Sequence, residues 1–515
     1  MTPPHPLIAR PLETVHKKDA DYVFYEFTRS ICPQCRRVID AQIRLRDNKV
    51  YMFKRCPEHG PFEALVYGDA QTYVNAAKFN KPGTIPLQHT TEIVHGCPHD
   101  CGLCPDHQQH ACVGIIEVNT ACNMDCPLCF ADAGHGYNLT LPDVEQILDH
   151  FVAAEGLGEV IQFSGGEPTI HPQIIPMLKA AMERNIRYIM LNTNGKRIAY
   201  DDEFLTQLNK IKPAIYFQFD GFDSETYRII RNEPDILPEK LKALDRLADI
   251  DCPVILVPAI EQGVNEHEIG AIVRFGLEHP AVFGVNFQPA FHSGRYNTHD
   301  PMKRITNPDI IALLAAQTEG MFRTTDFVPV PCCFPTCNSV TYAYVEGENV
   351  LPLPRLIDID DYLDYISNSA MPTLDLDVRR ALEGLWSSSA LPGLEKAADE
   401  FALTCAACGL NIDMGPLDGG IFMVMLQDFL DPWTFNQKNL MKCCKEILLP
   451  DGKQIPFCAY NNVGYREQAR SQLATRQHAR AKAKAQGIPF VPQPLTFSFG
   501  EVQGPNPKGL PVNNF

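Results

Sequence analysis

Three cysteines in one short stretch have the most distinctive chemistry in this chain. In Cys122-Asn-Met-Asp-Cys126-Pro-Leu-Cys129 the spacing is C-x3-C-x2-C, and these residues are called the cysteine trio below. Three thiolates can hold three irons of a [4Fe-4S] cluster, whereas an electron-transfer cluster takes four cysteine ligands. Because no fourth cysteine follows soon after, the trio predicts a cluster with one open iron that can bind a ligand. The alternative is a zinc knuckle or a group of buried thiols.

A second motif follows one βα unit later, as Ser164-Gly165-Gly166-Glu167-Pro168-Thr169. Its glycines let the backbone approach a ligand closely, and its glutamate offers an anionic acceptor for an ammonium group. The two motifs together resemble the radical S-adenosylmethionine (radical SAM) superfamily. The resemblance implies that the cysteine trio binds the catalytic cluster and that the Gly-Gly-Glu-Pro loop (residues 165–168) binds SAM. One departure is Leu128, where the superfamily usually has an aromatic residue.

The two motifs fall at the ends of predicted strands. Between residues 113 and 290, β-branched apolar runs alternate with amphipathic stretches, which is typical of parallel strands joined by right-handed crossovers. In barrel-like sheets the chemistry lies at the C-terminal strand ends, where both motifs occur. The fold class predicted is α/β, a partial (β/α)6 radical SAM barrel with an N-terminal metal-binding ribbon and a C-terminal auxiliary-cluster domain. The predicted strands cover residues 113–118, 160–164, 188–192, 215–220, 254–259 and 283–288.

Two other predicted strand ends carry short polar side chains. Asn192 and Asn194 come at the end of the third strand, and Asp220 ends the fourth. They match loops that contact SAM in relatives, which predicts that they lie near its ribose. The alternative is that Asn194-Gly195 forms a simple turn and that Asp220 caps a helix.

Four cysteines directly upstream of the first strand suggest a second cluster. Cys97, Cys101, Cys104 and Cys112 have the spacing C-x3-C-x2-C-x7-C. Four thiolates suit a closed [4Fe-4S] centre near the barrel mouth. A tetrahedral zinc site is the alternative, because four cysteines serve either metal.

Near the N-terminus, two metal-binding knuckles are joined by an alternating, hairpin-like segment. Their predicted ligands are Cys32, Cys35, Cys56 and either His59 or a distant cysteine. Such a set suits one tetrahedral zinc or iron ion. We expect a structural site, with a redox-active, rubredoxin-like iron as the alternative.

The cysteines beyond the barrel are more numerous than one site needs. They predict a third cluster, for which Cys333, Cys337, Cys444 and Cys458 are the favoured ligands. Cys252, alone beside a buried strand, is expected to be a small core residue. The remaining candidates in this region are Cys332, Cys405, Cys408 and Cys443.

Composition limits the class of protein. The chain has 515 residues, 45% of them hydrophobic, and a formal net charge of −17, which disfavours a nucleic-acid surface. Nineteen cysteines without a recognisable export signal favour metal binding under reducing conditions over disulfides. We therefore expect a cytoplasmic protein. The expected regions are the ribbon (1–90), an auxiliary-cluster loop (91–112), the barrel (113–325), the auxiliary-cluster domain (326–465) and a basic helical stretch with an extended tail (466–515).

Most of the chain resembles a narrower group, archaeal tetraether lipid synthases, which are also described as class D radical SAM methyltransferases acting on pterins. The resemblance rests on the ribbon, the barrel motifs, Pro331-Cys332-Cys333-Phe334-Pro335-Thr336-Cys337 and the stretch from Leu449 to Cys458. It implies that SAM is split into methionine and a 5'-deoxyadenosyl radical, which takes hydrogen from an unactivated carbon. It also implies a low-potential electron donor such as ferredoxin or flavodoxin.

Within that group the first hypothesis is C–C bond formation between sp3 carbons of lipid chains, and the second is methylation of a pterin. A lipid substrate would need an apolar tunnel, for which the run from Ile421 to Leu426 is a candidate, although ordinary core explains it as well. The basic stretch from Arg466 to Lys484 allows peripheral contact with the inner membrane face, and a solvated tail is the alternative. A third class, a non-catalytic iron–sulfur electron carrier, would need neither Glu167 nor a barrel.

Overall fold

The N-terminal part of the protein is a four-stranded antiparallel sheet. The computed structural model describes residues 19–134, 136–296, 300–355 and 420–499. Alternate residues of the sheet's middle strands, such as Ile43 and Met52, are fully buried in a small core of its own. A short helix follows the sheet. These elements are β1 (Val23–Ile31), β2 (Val38–Arg46), β3 (Lys49–Cys56), β4 (Gly60–Tyr67) and α1 (Ala70–Asn75), with the strands paired in chain order.

The six predicted strands form the parallel centre of the main sheet, which confirms the partial barrel. They read as continuous apolar runs because helices cover their outer face. In space the order from one end is β11, β9, β8, β7, β6 and β5. The strands are β5 (Val113–Asn119), β6 (Gly158–Gly165), β7 (Ile186–Thr193), β8 (Ala214–Gln218), β9 (Val254–Val257), the two-residue β10 (Ala259–Ile260) and β11 (Val282–Pro289).

Strands from later in the chain extend this sheet at both ends. Beside β11, a parallel strand and antiparallel partners are added, and beside β5 a parallel strand and a hairpin partner are added. The apolar run that was a tunnel candidate is one of these strands. The added strands are β12 (Val328–Pro329), β13 (Asn338–Glu346), β14 (Asn349–Pro352), β15 (Gly420–Gln427), β16 (Lys445–Leu448) and β17 (Gln454–Pro456).

Helices cover the outer face of the parallel strands. The first of them begins after Thr140, with a capping box between Thr140 and Asp143. The basic stretch near the C-terminus is helical. The helices are α2 (Leu141–Glu155), α3 (Ile174–Met182), α4 (Lys196–Tyr200), α5 (Asp202–Asn209), α6 (Ser224–Arg231), α7 (Leu237–Ala248), α8 (Ile269–Glu278), α9 (Asn307–Gln317), α10 (Gln437–Met441), α11 (Phe457–Asn462) and α12 (Tyr465–Ala485).

The N-terminal sheet packs against the segment that precedes α10. The buried ammonium of Lys54 donates to the carbonyl of Pro432 at 2.6 Å and to Ser30 Oγ at 2.9 Å. Beside it, the Phe62 and Trp433 rings make an edge contact with centroids 5.5 Å apart. These contacts fix the sheet to residues that lie close to the C-terminal cysteines.

Candidate functional site

The cysteine trio lies on the loop that leaves the C-terminal end of β5. Cys126 is buried, whereas Cys122 and Cys129 are half-buried. Their side chains pack against a common apolar group. Burial, together with the charges of Glu167 and the other two thiols, raises the pKa of Cys122 to about 12 against an opposing backbone N–H. Three thiolates in this loop therefore need a cation among them, and the irons of a cluster would supply it.

The Gly-Gly-Glu-Pro loop touches the backbone of the cysteine loop. Gly165 has φ +143°, and a Cβ there would lie 2.4 Å from Asn119 O. A Cβ on Gly166 would lie 2.2 Å from Ala121 O. Only glycine fits at both positions, so the two motifs form one continuous surface at the C-terminal ends of β5 and β6. This surface can take a cofactor that must contact both loops.

The carboxylate of Glu167, the predicted acceptor for an ammonium group, also holds its own loop. It is 2% exposed and accepts hydrogen bonds from Thr169 N at 3.1 Å, Thr193 Oγ1 at 2.8 Å and Asn194 N at 2.8 Å. Burial raises its pKa, and these donors oppose the shift. Glu167 therefore ties the end of β6 to the end of β7, because its oxygens are drawn towards the chain's own donors.

Asp220, predicted to lie near the ribose of SAM, is engaged by a side chain of the protein. It is fully buried, and Arg231 donates to both of its oxygens. The same guanidinium lies against Cys126, where its charge and a hydrogen bond oppose the rise in the thiol's pKa that burial causes. Leu128 N also donates to Ile230 O at 3.4 Å. The C-terminus of α6 thus contacts the middle of the cysteine loop.

The two predicted asparagines have different positions. Asn194 is buried, and its Nδ2 donates to Oδ1 of Asn123 in the cysteine loop at 2.7 Å. Asn192 is half-buried and donates to Ser164 Oγ at 3.2 Å. Asn123 had no sequence signal of its own beyond its place inside the trio.

A polar set that the sequence analysis missed lies on four strands of the barrel, β6, β7, β8 and β11. Gln288 Nε2 donates to the Tyr216 hydroxyl at 2.9 Å, and Asn286 Nδ2 donates to the same hydroxyl. Asn286 Oδ1 is buried and has no hydrogen-bond partner within the described ranges. On β6 and β7, Gln162 donates to Asn192. Alternate polar residues on apolar strands were the available signal. We call Gln162, Asn192, Tyr216, Asn286 and Gln288 the barrel polar set.

The N-terminal knuckles gather the four predicted ligands. The atoms of Cys32, Cys35, Cys56 and His59 lie within 4.8 Å of one another. Cys35 and Cys56 sulfurs are 3.9 Å apart, and His59 Nδ1 is 3.5 Å from Cys56 Sγ. Although burial opposes it, backbone N–H groups and His59 lower the pKa of Cys56 to about 6. This arrangement fits one tetrahedral ion and selects His59 over a distant cysteine.

Comparisons with known proteins agree with this geometry. The profile of the HMPTM N-terminal zinc ribbon domain matches residues 24–68, and the radical SAM superfamily profile matches residues 116–276. The 7,8-dihydro-6-hydroxymethylpterin dimethyltransferase of Methanocaldococcus jannaschii is 31% identical over 481 residues, which cover 85% of this chain and 94% of the relative. The chain belongs to the radical SAM superfamily.

Two other relatives of this radical SAM enzyme match only in part. A probable GTP 3',8-cyclase of Methanothermobacter thermautotrophicus is 28% identical over 175 residues, covering 33% of this chain and 55% of the cyclase. The crystal structure of Streptococcus suis SuiB bound to S-adenosylmethionine has a TM-score of 0.35 and 18% identity, covering 41% of this chain and 47% of that chain. Membership of the superfamily brings a [4Fe-4S] cluster and SAM as cofactors.

The other cysteines of the radical SAM enzyme are grouped differently from the prediction. Cys112 was expected to complete the set of Cys97, Cys101 and Cys104. Its Sγ instead lies within 4.8 Å of those of Cys332 and Cys444. The reason is that Cys112 is the residue directly before β5, and Val113 N donates to Cys444 O where β16 runs beside β5. Sheet pairing, which local spacing cannot reveal, brings these thiols together.

The favoured ligands of the third cluster line one cavity. It lies next to the segment that carries the N-terminal sheet, with Asp428, Phe429 and Leu430 in its wall. Cys333, Cys337, Cys444 and Cys458 all contribute to its wall, as does Cys443. The pair Cys405 and Cys408 lies outside the described residues.

The basic helix α12 binds the protein, which differs from the predicted contact with a membrane. Arg466 is buried against Glu117, and its Nη2 lies 2.7 Å from Glu117 Oε1. Arg470 donates to the carbonyls of Ala131 and Asp132, at the end of the cysteine loop. The guanidinium groups of Arg466, Arg470 and Arg480 are thus occupied by carboxylates and carbonyls of the barrel. Of the helices in the described ranges, none has both the length and the apolar character that crossing a bilayer requires.

Proposed function

We propose that the protein is a class D radical SAM methyltransferase that adds methyl groups to a pterin. The observation that carries the proposal is the 31% sequence identity with the dimethyltransferase of M. jannaschii, which extends over 85% of this chain and 94% of that relative. The matching zinc ribbon, whose profile takes its name from the same group, supports it independently of the barrel.

In this proposal the cysteine trio holds the [4Fe-4S] cluster, and the Gly-Gly-Glu-Pro loop holds SAM. When bound and reduced, SAM supplies a 5'-deoxyadenosyl radical that removes a hydrogen atom from a carbon. The protein's part is to position the loops and exclude water. Glu167 fixes the SAM loop to β7, and Arg231 fixes the cysteine loop to α6. Asn194 joins both loops through Asn123.

The barrel polar set suits a pterin. A pterin ring presents N–H donors, ring nitrogens and a carbonyl along its edges, so its site needs several fixed donors and acceptors. The barrel polar set offers amide groups and a hydroxyl on four strands, β6, β7, β8 and β11. The buried oxygen of Asn286 has an unused acceptor position for a ligand N–H. A hydrocarbon chain would leave this buried oxygen unpaired, at a cost of about 1–3 kcal/mol.

A direct assay tests the proposal. Enzyme prepared without oxygen is reduced and incubated with SAM, a reduced folate-type one-carbon donor and 7,8-dihydro-6-hydroxymethylpterin, and the products are read by mass spectrometry. The expected product is the pterin with one or two additional methyl groups, formed together with 5'-deoxyadenosine. Release of 5'-deoxyadenosine with no change in the pterin would remove the pterin from the proposal.

The second candidate is C–C bond formation between lipid chains. It is favoured by an aromatic cluster between the cysteine loop and the sulfur-lined cavity: Phe130 directly follows Cys129, and its ring centroid is 5.4 Å from that of Phe457, which lines the cavity. Phe457 is in turn 4.7 Å from Phe429. An alkyl chain could run along such a surface. Incubation with phospholipid in place of the pterin is the matching arm of the assay, and coupled chains would select this candidate.

A further inference from the structure

Cys112, Cys332 and Cys444 form a buried thiol group that the predicted clusters do not explain. The sulfurs of Cys332 and Cys444 are 3.4 Å apart, and all three lie within 4.8 Å of one another. Cys333 packs beside them, and its thiol contacts those of Cys332 and Cys444. Each of the four is 4% exposed or less, and all are free thiols. We call them the buried thiol group.

The spacing of these sulfurs indicates how a metal would bind. Zinc–sulfur bonds of about 2.3 Å in a tetrahedron place the sulfurs about 3.8 Å from one another. The ligands of a [4Fe-4S] cluster are further apart, because each sulfur is bound to a different iron. The sulfurs of Cys112, Cys332 and Cys444 are separated by 3.4 Å to 4.8 Å, which therefore suits a single ion.

The molecule itself provides a comparison. The ligands of the zinc ribbon fall within the same 4.8 Å limit. Among the described residues, neither the cysteine trio nor Cys97, Cys101 and Cys104 is gathered as tightly. The buried thiol group thus resembles the single-ion site and differs from the cluster site.

A hydrogen-bond chain holds Cys112 in place. Glu155 Oε2 is 2.9 Å from His110 Nδ1, and His110 Nε2 is 3.2 Å from Cys112 Sγ. Glu155 Oε1 also accepts from Ala111 N at 3.1 Å. A carboxylate that orients a histidine next to a metal ligand is a common outer shell of metal sites. Since α2 carries Glu155, this chain links the thiol group to the barrel.

We propose that Cys112, Cys332 and Cys444 bind one metal ion, zinc or iron, separate from the SAM cluster and the zinc ribbon, with Cys333 as the fourth thiol beside them and His110 and Glu155 as positioning residues. The ion joins three chain segments: the residue before β5, the loop before β13 and the loop before β16. It thereby fixes the wall of the cavity to the barrel. Cys333 and Cys444 belong both to that wall and to the buried thiol group.

The test is a metal and sulfide count on the full chain, purified without oxygen. In Cys332→Ser we expect one metal ion fewer per chain, with inorganic sulfide unchanged, and Cys35→Ser of the ribbon should lose its own ion additively. Cys252→Ser, which changes a buried thiol far from the group, is the matched control and should lose none. Zinc and iron are distinguished by mass spectrometry of the metals. His110→Gln should weaken retention of the ion against a chelator about 10–100-fold.

Two outcomes overturn the proposal. One is a parallel loss of iron and sulfide in Cys332→Ser, which would mean a cluster at these thiols; the other is an unchanged metal content. If the variant does not fold, the wild-type protein decides. Its metal in excess of cluster iron should then exceed the single ion of the ribbon, and an excess of one ion only would refute the additional site.

Discussion

Arg231 and Asp220 form a buried ion pair directly behind the cysteine trio. The guanidinium donates to the two carboxylate oxygens at 2.7 Å and 2.6 Å, and the backbone N–H of Ala259 donates to one of them at 3.0 Å. Because Arg231 also contacts Cys126, the pair transmits the position of the end of β8 to the cluster loop. It is a fixed element behind the loop.

Arg231→Gln should destabilise the protein strongly. The substitution leaves the buried carboxylate of Asp220 without its counter-ion, which typically costs about 3–5 kcal/mol. The reduction potential of the SAM cluster should also fall, because a positive charge next to a ligand thiolate is removed. Denaturant unfolding and a redox titration followed by paramagnetic resonance measure the two effects. Arg228→Gln, on the exposed face of the same helix, should change neither.

Cys126→Ser should abolish release of 5'-deoxyadenosine. It removes the most buried ligand of the trio, so the cluster is lost or loses its open-iron form. Product analysis by liquid chromatography is the measurement, and Cys252→Ser is the control with full activity. Cleavage of SAM at the wild-type rate would show that the cluster is held elsewhere.

Gly166→Ala should weaken SAM binding at least tenfold. The added Cβ would lie 2.2 Å from Ala121 O, so either the SAM loop or the cysteine loop must move. Gly420→Ala adds the same methyl group to open space and should leave affinity unchanged. The SAM-induced change in the cluster's paramagnetic spectrum, followed by titration, compares the two variants.

Lys240 should make stability depend on pH in the alkaline range. Its burial lowers the pKa from 10.5 to about 8, against the attraction of Asp220. Between these values the unfolded chain binds the proton and the folded protein does not, so stability rises with pH from about 8 to 10.5, by at most about 1.4 kcal/mol per pH unit. Lys240→Met should lack this rise when denaturation midpoints are compared across pH. An identical pH profile in both proteins would contradict the assignment.

Asn286→Leu should separate substrate binding from SAM chemistry. Loss of the amide removes a donor to Tyr216 and the unused acceptor oxygen, so affinity for a pterin should fall about 10–100-fold. Basal cleavage of SAM without substrate should be unchanged. A fall in both would place Asn286 in support of the barrel as a whole. Met423→Leu, on the neighbouring β15, is the matched apolar control.

The parallel strands and the two cofactor loops could be predicted because their signals are local. The alternation of apolar runs with helical stretches predicts the bounds of each barrel strand to within a few residues. For example, the strand predicted at residues 113–118 is β5, Val113–Asn119. The glycines at positions 165 and 166 were correctly read as points of close backbone approach. The backbone that these glycines approach is that of the cysteine loop.

The roles of charged and sulfur-containing side chains could not be predicted, because they depend on partners distant in sequence. The sequence places Asp220 after a strand, where residues that contact a ribose are found. It does not show that Arg231, at the end of α6, pairs with Asp220. Cys112 has cluster spacing with its upstream neighbours, but the pairing of β16 with β5 places it next to Cys444. From sequence alone, the basic residues of α12 allow contact with a membrane. In the structure Arg466 pairs with Glu117 and Arg480 pairs with Asp143.

The hydrogen bonds from α12 to the cysteine loop have a consequence for the order of assembly. Arg466 and Arg470 hold Ala131 and Asp132, which are more than 300 positions earlier in the chain. During translation, the loop that receives the iron is therefore complete long before the residues that fix it have been synthesised. Stable loading of the iron–sulfur centre must wait until the ribosome has released that late helix, and nascent chains that stall earlier will present an unsupported thiol loop.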